Sequence, residues 1–458
     1  MSRTFHSLSF RNYRIWFFGA LVANVGTWMQ RIAQDWLVLR LLTDNSGFAV
    51  GVTTALQFAP LLILTPVAGV LADRSNRRHL LMWTQGLMGL TALIQGVLVL
   101  GGHAQLWHIY ALAFALGSIS AIDAPARQIF VGEMVPADSL PNAVALNSTS
   151  FNVARLIGPG ISGLLIAAVG TGWVFIINAL SFVATIFALQ AMRTSELREL
   201  PRAKRAKGQV RDGLRYVLRR SDILVIMIVA GTVSALGLNF QLTSAVMATQ
   251  VFGRSSAGYG MVGSVMAIGS VAGALAAARR QHPRVRLVIG SAFVFGIAAG
   301  LNALAPTWET YLASMILVGF CSLTMITSAN TAIQLSTAPD MRGRVMSLYT
   351  LVFLGTTPVG APLVGWIAEA WSPRWSVGIG AVASIVVAIG AALWAKREWR
   401  VDVSYHWHRP YLDIDGPGER SWKDTDTEMP QPAEMRADAT FQARRVEERQ
   451  TTPQRAAS

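Results

Sequence analysis

Long apolar runs recur along the chain, separated by short polar breaks. A helix needs about 20 apolar residues to cross a hydrocarbon core, and the runs have that length. Their pattern predicts spans at 14–41, 47–72, 79–101, 106–126, 140–169, 172–192, 222–250, 256–278, 286–304, 308–331, 343–368 and 375–395. The first begins like a secretory signal, with Arg11 and Arg14 ahead of an apolar stretch. It continues through Trp28, Met29 and Trp36 without a small-residue cleavage site, so an uncleaved first helix is expected.

The polar breaks carry an orientation. Of the 28 Lys/Arg in residues 1–395, 23 fall in the breaks on the side of the N-terminus and 3 in those on the other side. Lys and Arg accumulate in cytoplasmic loops, so both termini are expected inside. The longest polar break, 193–221, divides the chain into a six-span half at 1–192 and a second at 222–395. Pro136, Gly158-Pro159 and Trp173 recur as Pro339, Ala361-Pro362 and Trp375 at offsets of 203, 203 and 202. An internal repeat of this kind is characteristic of duplicated transporters. Residues 396–458 form a polar cytoplasmic tail, expected to be largely disordered, above all from Gly416 onward.

Composition narrows the function. Hydrophobic residues make up 52% of the 458 and charged residues only 14%, against about 25% charged in a soluble domain. The net charge of +14 therefore reflects inner loops of a membrane protein and not a nucleic-acid surface. The single cysteine, Cys321, excludes an internal disulfide and any CxxC motif. None of the four lysines follows a glycine, so no Walker A loop is present. Tyr405-His406-Trp407-His408 holds two histidines without further ligands, too few for a metal site. No metal, cofactor or catalytic nucleophile set is expected, and any energy source would be a gradient.

Three constellations carry candidate chemistry. Between spans two and three stands Gly69-Val70-Leu71-Ala72-Asp73-Arg74-Ser75-Asn76-Arg77-Arg78. Gly69 permits close helix approach, and Asp73 ends span two where a neighbouring helix N-terminus would attract it. The plain alternative is a topogenic basic loop. Span five contains Arg155-Leu156-Ile157-Gly158-Pro159-Gly160-Ile161-Ser162-Gly163, a proline bend between packing glycines. Its plain alternative is an ordinary proline kink. In span one, Asn24, Thr27, Gln30, Arg31, Gln34 and Asp35 lie within about 140° of arc at 100° per residue. A polar stripe inside a membrane faces protein or water. Arg31 and Asp35, four residues apart, can pair, either as a static helix tie or as a proton-coupling site, with Arg155 the other intramembrane charge. Gln57, Asn147, Asn152, Asn178, Asn239, Gln241 and Asn302 are further candidates for a cavity lining, each also a candidate helix–helix hydrogen bond.

The loop after span two resembles the signature G-x-x-x-D-R-x-G-R-R of the major facilitator superfamily, with Asn76 in place of a glycine. Asparagine tolerates a left-handed backbone, so the turn is expected to survive. The second-half copy, Gly273 to Arg280, has Ala277 where the acid would stand. The resemblance implies that Asp73 docks on the N-terminus of span eleven when the protein opens outward. It also implies that Arg77 pairs with an acid at the inner end of span four, with Asp123 of Asp123-Ala124-Pro125-Ala126-Arg127 as the candidate. That stretch looks like its counterpart in exporters related to the enterobactin exporter. Gly158, Pro159 and Gly163 resemble the antiporter motif G-P-x-x-G-G, with Ser162 in place of one glycine.

The combined expectation is an all-α, twelve-helix major facilitator in a bacterial inner membrane, built as two six-helix pseudo-repeats. By resemblance it would export a small drug- or siderophore-like molecule by proton antiport and alternating access, working as a monomer. Its expected partners are substrate, protons and membrane lipid, with no nucleic acid. An importer on the same fold and, more remotely, a membrane receptor or enzyme are the rival readings.

Overall fold

The computed structural model describes residues 3–198, 209–278, 285–339, 341–398, 402–406 and 411–415. Within these, the side chains of 3–4, 65–67, 69–70, 72–74, 209–210, 278, 398 and both short strands are not described. The helices are α1 (Arg11–Trp36), α2 (Gly47–Arg74), α3 (Arg77–Leu100), α4 (Leu106–Met134), α5 (Leu140–Val169) and α6 (Thr171–Gln190) in the first half. They continue as α7 (Gln209–Arg219), α8 (Ser221–Leu236), α9 (Phe240–Val246), α10 (Ser256–Ala278), α11 (Val285–Ala303), α12 (Trp308–Ser336), α13 (Arg342–Gly355), α14 (Thr357–Ala370) and α15 (Pro373–Glu398).

Eleven spans among the described residues are long and apolar enough to cross a membrane, with α8–α9 and α13–α14 each counted once. The twelfth expected span is α1, whose 26 residues reach about 39 Å. Its polar stripe, with Arg31 and Asp35, dilutes its hydropathy.

Two spans are interrupted. Span seven breaks after Leu236 and resumes at Phe240, with Asn239 Nδ2 donating to the Ala235 carbonyl at 2.7 Å. Span eleven breaks at Thr356. Pro358 has no N–H to give the Leu354 carbonyl, so the ladder must restart there.

The expected polar loop 193–221 contains a surface helix, α7. Val210, Leu214 and Val217 recur at helical spacing, and Val217 is buried. Gly213 lies against Arg344 and Leu348 of α13, and Asp212 pairs with Arg344 at 3.2 Å. In the tail, β1 (Asp402–His406) pairs antiparallel with β2 (Tyr411–Asp415). The segment from Gly416 onward and His408 lie outside the described residues.

The two sets of six spans meet along two matching seams. The first is α5 against α10, where a Cβ on Gly163 would come 2.6 Å from the Ser256 carbonyl oxygen and one on Gly260 would come 2.4 Å from that of Pro159. The second is α2 against α14, where a Cβ on Gly51 would come 2.4 Å from the Ala361 carbonyl oxygen. Without hydrophobic drive inside lipid, such backbone contact between small residues supplies the packing. Pro159 and Pro362, counterparts in the repeat, sit one in each seam. Both seams use the C-terminal parts of α5 and of span eleven and the N-terminal parts of α10 and α2. They therefore close the molecule on the face opposite the basic loops.

Candidate substrate cavity

A cavity of about 770 Å³ opens toward the basic face. Its wall is made by α1, α2, α3, α4, α5 and Phe182 of α6, and Leu354 is its one lining residue from the second six spans. It runs from Arg31 to Arg127, Gln128, Val131 and Val144, next to the α4–α5 turn.

The polar stripe of α1 divides between two environments. Asn24, Thr27, Gln30 and Arg31 line the cavity. Gln34 and Asp35, further along, are buried beyond its closed end. Gln30 accepts from Asn178 Nδ2 and donates to Gln95 Oε1 at 3.2 Å, tying α1 to α3 and α6. Asn24 Nδ2 donates weakly to Ser150 Oγ at 3.4 Å.

Asp35 does not pair with Arg31. Its Oδ2 accepts from the Tyr259 hydroxyl of α10 at 3.0 Å, across 224 positions of sequence. The same hydroxyl lies 3.1 Å from the Gln241 carbonyl oxygen. Helical spacing brings Arg31 and Asp35 to one face, but Asp35 projects into the junction with α10 while Arg31 projects into the cavity. There the Arg31 guanidinium stands 5.1 Å from the Trp28 ring centroid and 5.7 Å from that of Phe58. Arg155 of α5 approaches the same Trp28 ring at 5.8 Å.

Asp123 also departs from expectation. It is only 3% exposed. Its Oδ1 accepts from Thr84 Oγ1 at 2.6 Å and Gln85 Nε2 at 2.9 Å, and its Oδ2 from Arg127 at 2.9 and 2.7 Å. Arg77 pairs instead with Glu133. Ten residues of helix separate Asp123 from Glu133, about 15 Å, and Arg77 opens α3 at the basic face, level with Glu133. Glu133 was the missed partner; being the last acid of α4, its depth was its signal.

Asn76 adopts φ −65° and ψ 110° and caps α3 by accepting from the His79 N–H at 3.2 Å. The turn thus needs no left-handed residue, because an asparagine cap does the work expected of backbone freedom. Arg78 donates to the Leu189 carbonyl at 2.7 Å. The surroundings of Gly69 and the side chains of Asp73 and Arg74 are not described, and Arg279 and Arg280 lie outside the described residues.

In span five, Gly158 abuts Trp28, while Pro159 and Gly163 face α10. Of the further polar candidates, Gln57, Asn147 and Asn152 line the cavity. Asn178 and Asn302 tie neighbouring spans, Asn302 donating to Ser314 Oγ at 2.8 Å, whereas Asn239 bonds within its own span, to the Ala235 carbonyl. Gln241 lies away from the cavity, its Nε2 buried without a hydrogen-bond partner among the described residues. Among the described residues no three His, Cys, Asp or Glu converge as a metal set.

Twelve spans in two matched sets, seamed on one face and hollow toward the other, define a multi-pass membrane protein of the major facilitator fold. A family model described as transmembrane secretion effector matches residues 2–420, and the chain belongs to that family. It is similar to the multidrug efflux pump Tap of Mycolicibacterium fortuitum, 26% identical over 77% of this chain and 88% of the relative. The staphyloferrin A transporter of Staphylococcus aureus is 24% identical over 82% and 94%. The enterobactin exporter EntS of Salmonella typhimurium is 23% identical over 76% and 84%. Among solved structures, a peptide-bound POT family transporter superposes with TM-score 0.69 at 12% identity, covering 84% of this chain and 96% of its own. A bacterial homologue of the lysosomal transporter Spinster does so with TM-score 0.64 at 15% identity, over 84% and 96%.

Proposed function

We propose that the protein exports a small organic molecule across a bacterial inner membrane by proton antiport. The observation that carries this is the Asp35–Tyr259 hydrogen bond. It joins the two halves at the closed end of the cavity, one helical turn beyond the lining residue Arg31. A carboxylate in a membrane span costs about 2.5–3.5 kcal/mol on insertion scales, so its presence there argues for work. The Tyr259 hydroxyl has one hydrogen and two acceptors in reach. When Asp35 is ionised, that hydrogen serves the carboxylate. When Asp35 is protonated, the carboxyl donates to the tyrosine oxygen and the hydroxyl turns to the Gln241 carbonyl. Proton uptake thereby changes a bond that spans the two halves.

In this reading the basic face is cytoplasmic, both termini are inside, and the cavity receives substrate from the cytoplasm. Opening the seams while the basic face closes would release it outside, where Asp35 is reprotonated. Asp73 would then dock on the start of span eleven. The names of the exporter relatives support the direction. Inverted membrane vesicles with an imposed inward-acid gradient, screened with a compound panel, test the proposal. Accumulation that collapses with the gradient is expected; gradient-driven movement in the opposite direction would make the protein an importer.

A further inference from the structure

The cavity carries positive charge that its wall does not neutralise. Asp123 and Arg127 cancel each other at 2.7 Å. Arg31 has no hydrogen bond or close ion pair with any described residue; it lies against the Trp28 and Phe58 rings, and Asp35 and Arg155 act on it only through space. Arg155 likewise has only the Trp28 ring. It stands one turn beyond the lining residues Phe151 and Asn152 on α5. Asp35 attracts Arg31 at a distance while its Oδ2 accepts from Tyr259, and one carboxylate against two guanidinium groups leaves the pair short of a negative charge.

Two like charges thus share one indole ring, Arg31 at the deep end of the cavity and Arg155 just beyond its lining. Cation–π contact returns about 0.5–2 kcal/mol per arginine. Withdrawing an ion from water costs several kcal/mol, and mutual repulsion adds to that. The arrangement is unbalanced as it stands, and a ligand anion would balance it. Guanidinium groups present forked donors suited to carboxylate-like oxygens. Around them stand aromatic rings: Phe58 and Phe151 line the cavity, and Trp28 packs edge to face on Phe151 at 5.6 Å.

We propose that Arg31 and Arg155 form an anion subsite and that the transported molecule is a small amphipathic anion. Its acidic group would meet the two guanidinium groups, and its aromatic body would lie on Phe58 and Phe151. The proposal rests on the exporter reading of the cavity. An anionic lipid headgroup has the same chemistry. The small molecule is favoured because Gln57, Asn147 and Asn152 interrupt the wall with amide groups that acyl chains could not satisfy.

The test uses purified full-length protein in phosphatidylcholine discs and two dyes with one xanthene core, anionic carboxyfluorescein and cationic rhodamine 123, followed by anisotropy. Carboxyfluorescein is expected to bind at least about tenfold more tightly. Arg31→Gln and Arg155→Gln should each weaken it about tenfold, the scale of a charge-assisted hydrogen bond, and leave rhodamine binding equal or tighter. Tighter rhodamine binding to the unmodified protein would overturn the proposal without recourse to any variant. So would unchanged carboxyfluorescein affinity in both variants. Discs containing phosphatidylglycerol separate the two sources of the anion. Unchanged dye affinity supports the small-molecule site, and competitive loss overturns it in favour of lipid. Vesicle transport separates this proposal from the exporter reading. Carboxyfluorescein binding without gradient-driven accumulation removes only the exporter reading. Gradient-driven rhodamine export without carboxyfluorescein binding removes only the anion subsite.

Discussion

Asp35 and Arg31 sit one turn apart on the same helix and do different things. Arg31 meets the cavity, and Asp35 meets Tyr259 of the other half. Asp35→Asn keeps the shape and one acceptor oxygen but cannot exchange a proton. It is expected to abolish gradient-driven efflux in inverted vesicles while purified protein still binds substrate. Wild-type efflux with wild-type pH dependence would make Asp35 a structural tie. A second residue-scale prediction concerns the correction at Arg77. The Arg77–Glu133 pair is mostly buried, so a double-mutant cycle with Arg77→Gln and Glu133→Gln should show coupling of about 0.5–3 kcal/mol in detergent unfolding. The corresponding cycle with Asp123→Asn should be additive, because Asp123 has its own four donors and lies about 15 Å deeper. Coupling to Asp123 instead would restore the pairing inferred from the superfamily resemblance.

At the scale of elements, the closed face depends on helices that touch through their backbones. Gly51→Ile would drive a side chain into the Ala361 carbonyl of α14. Overpacking of this kind costs about 1–3 kcal/mol, enough to shift a two-state equilibrium toward the form with this seam open. A cysteine pair at positions 47 and 368, where a Cβ on Gly47 would come 3.3 Å from the Ala368 Cβ, should cross-link less readily in that background. The same seam has an electrostatic element. Glu369 accepts from Ser46 Oγ and the Phe48 N–H, each at 3.2 Å, at the N-terminus of α2. An acid there is favourable by about 0.3–1 kcal/mol. Glu369→Gln should therefore loosen the seam in the same assay by a factor of about two to five; unchanged cross-linking would leave Glu369 no part in closure. This contact mirrors, on the opposite face, the docking expected of Asp73 on span eleven.

For the whole molecule, orientation is the decisive quantity, since the cavity opens to the basic face. Reporter fusions at Gly208 and Ser458 should both read cytoplasmic, from the 23:3 division of Lys and Arg. An outside signal at either would reverse the direction in which the cavity loads. Truncation before Pro417 should leave efflux near the level of the full chain, because the composition beyond it cannot bury a core. Lost transport at normal membrane abundance would give the tail a role.

The spans, their number, the α1 stripe and the basic face were legible in the sequence, because each is a property of local composition. Hydrophobicity over about 20 residues sets a crossing helix whatever surrounds it. The proline–glycine repeat was legible too, although not its role in the seams. The α7 helix was obscured by the charges that surround its short apolar face. Partner choice was decided only by tertiary structure. Whether Asp35 meets Arg31 or Tyr259, and whether Arg77 meets Asp123 or Glu133, depends on the rotation and depth of neighbouring helices. Those are set by how closely small residues let backbones approach, a contact between segments as much as 323 residues apart that no local pattern encodes.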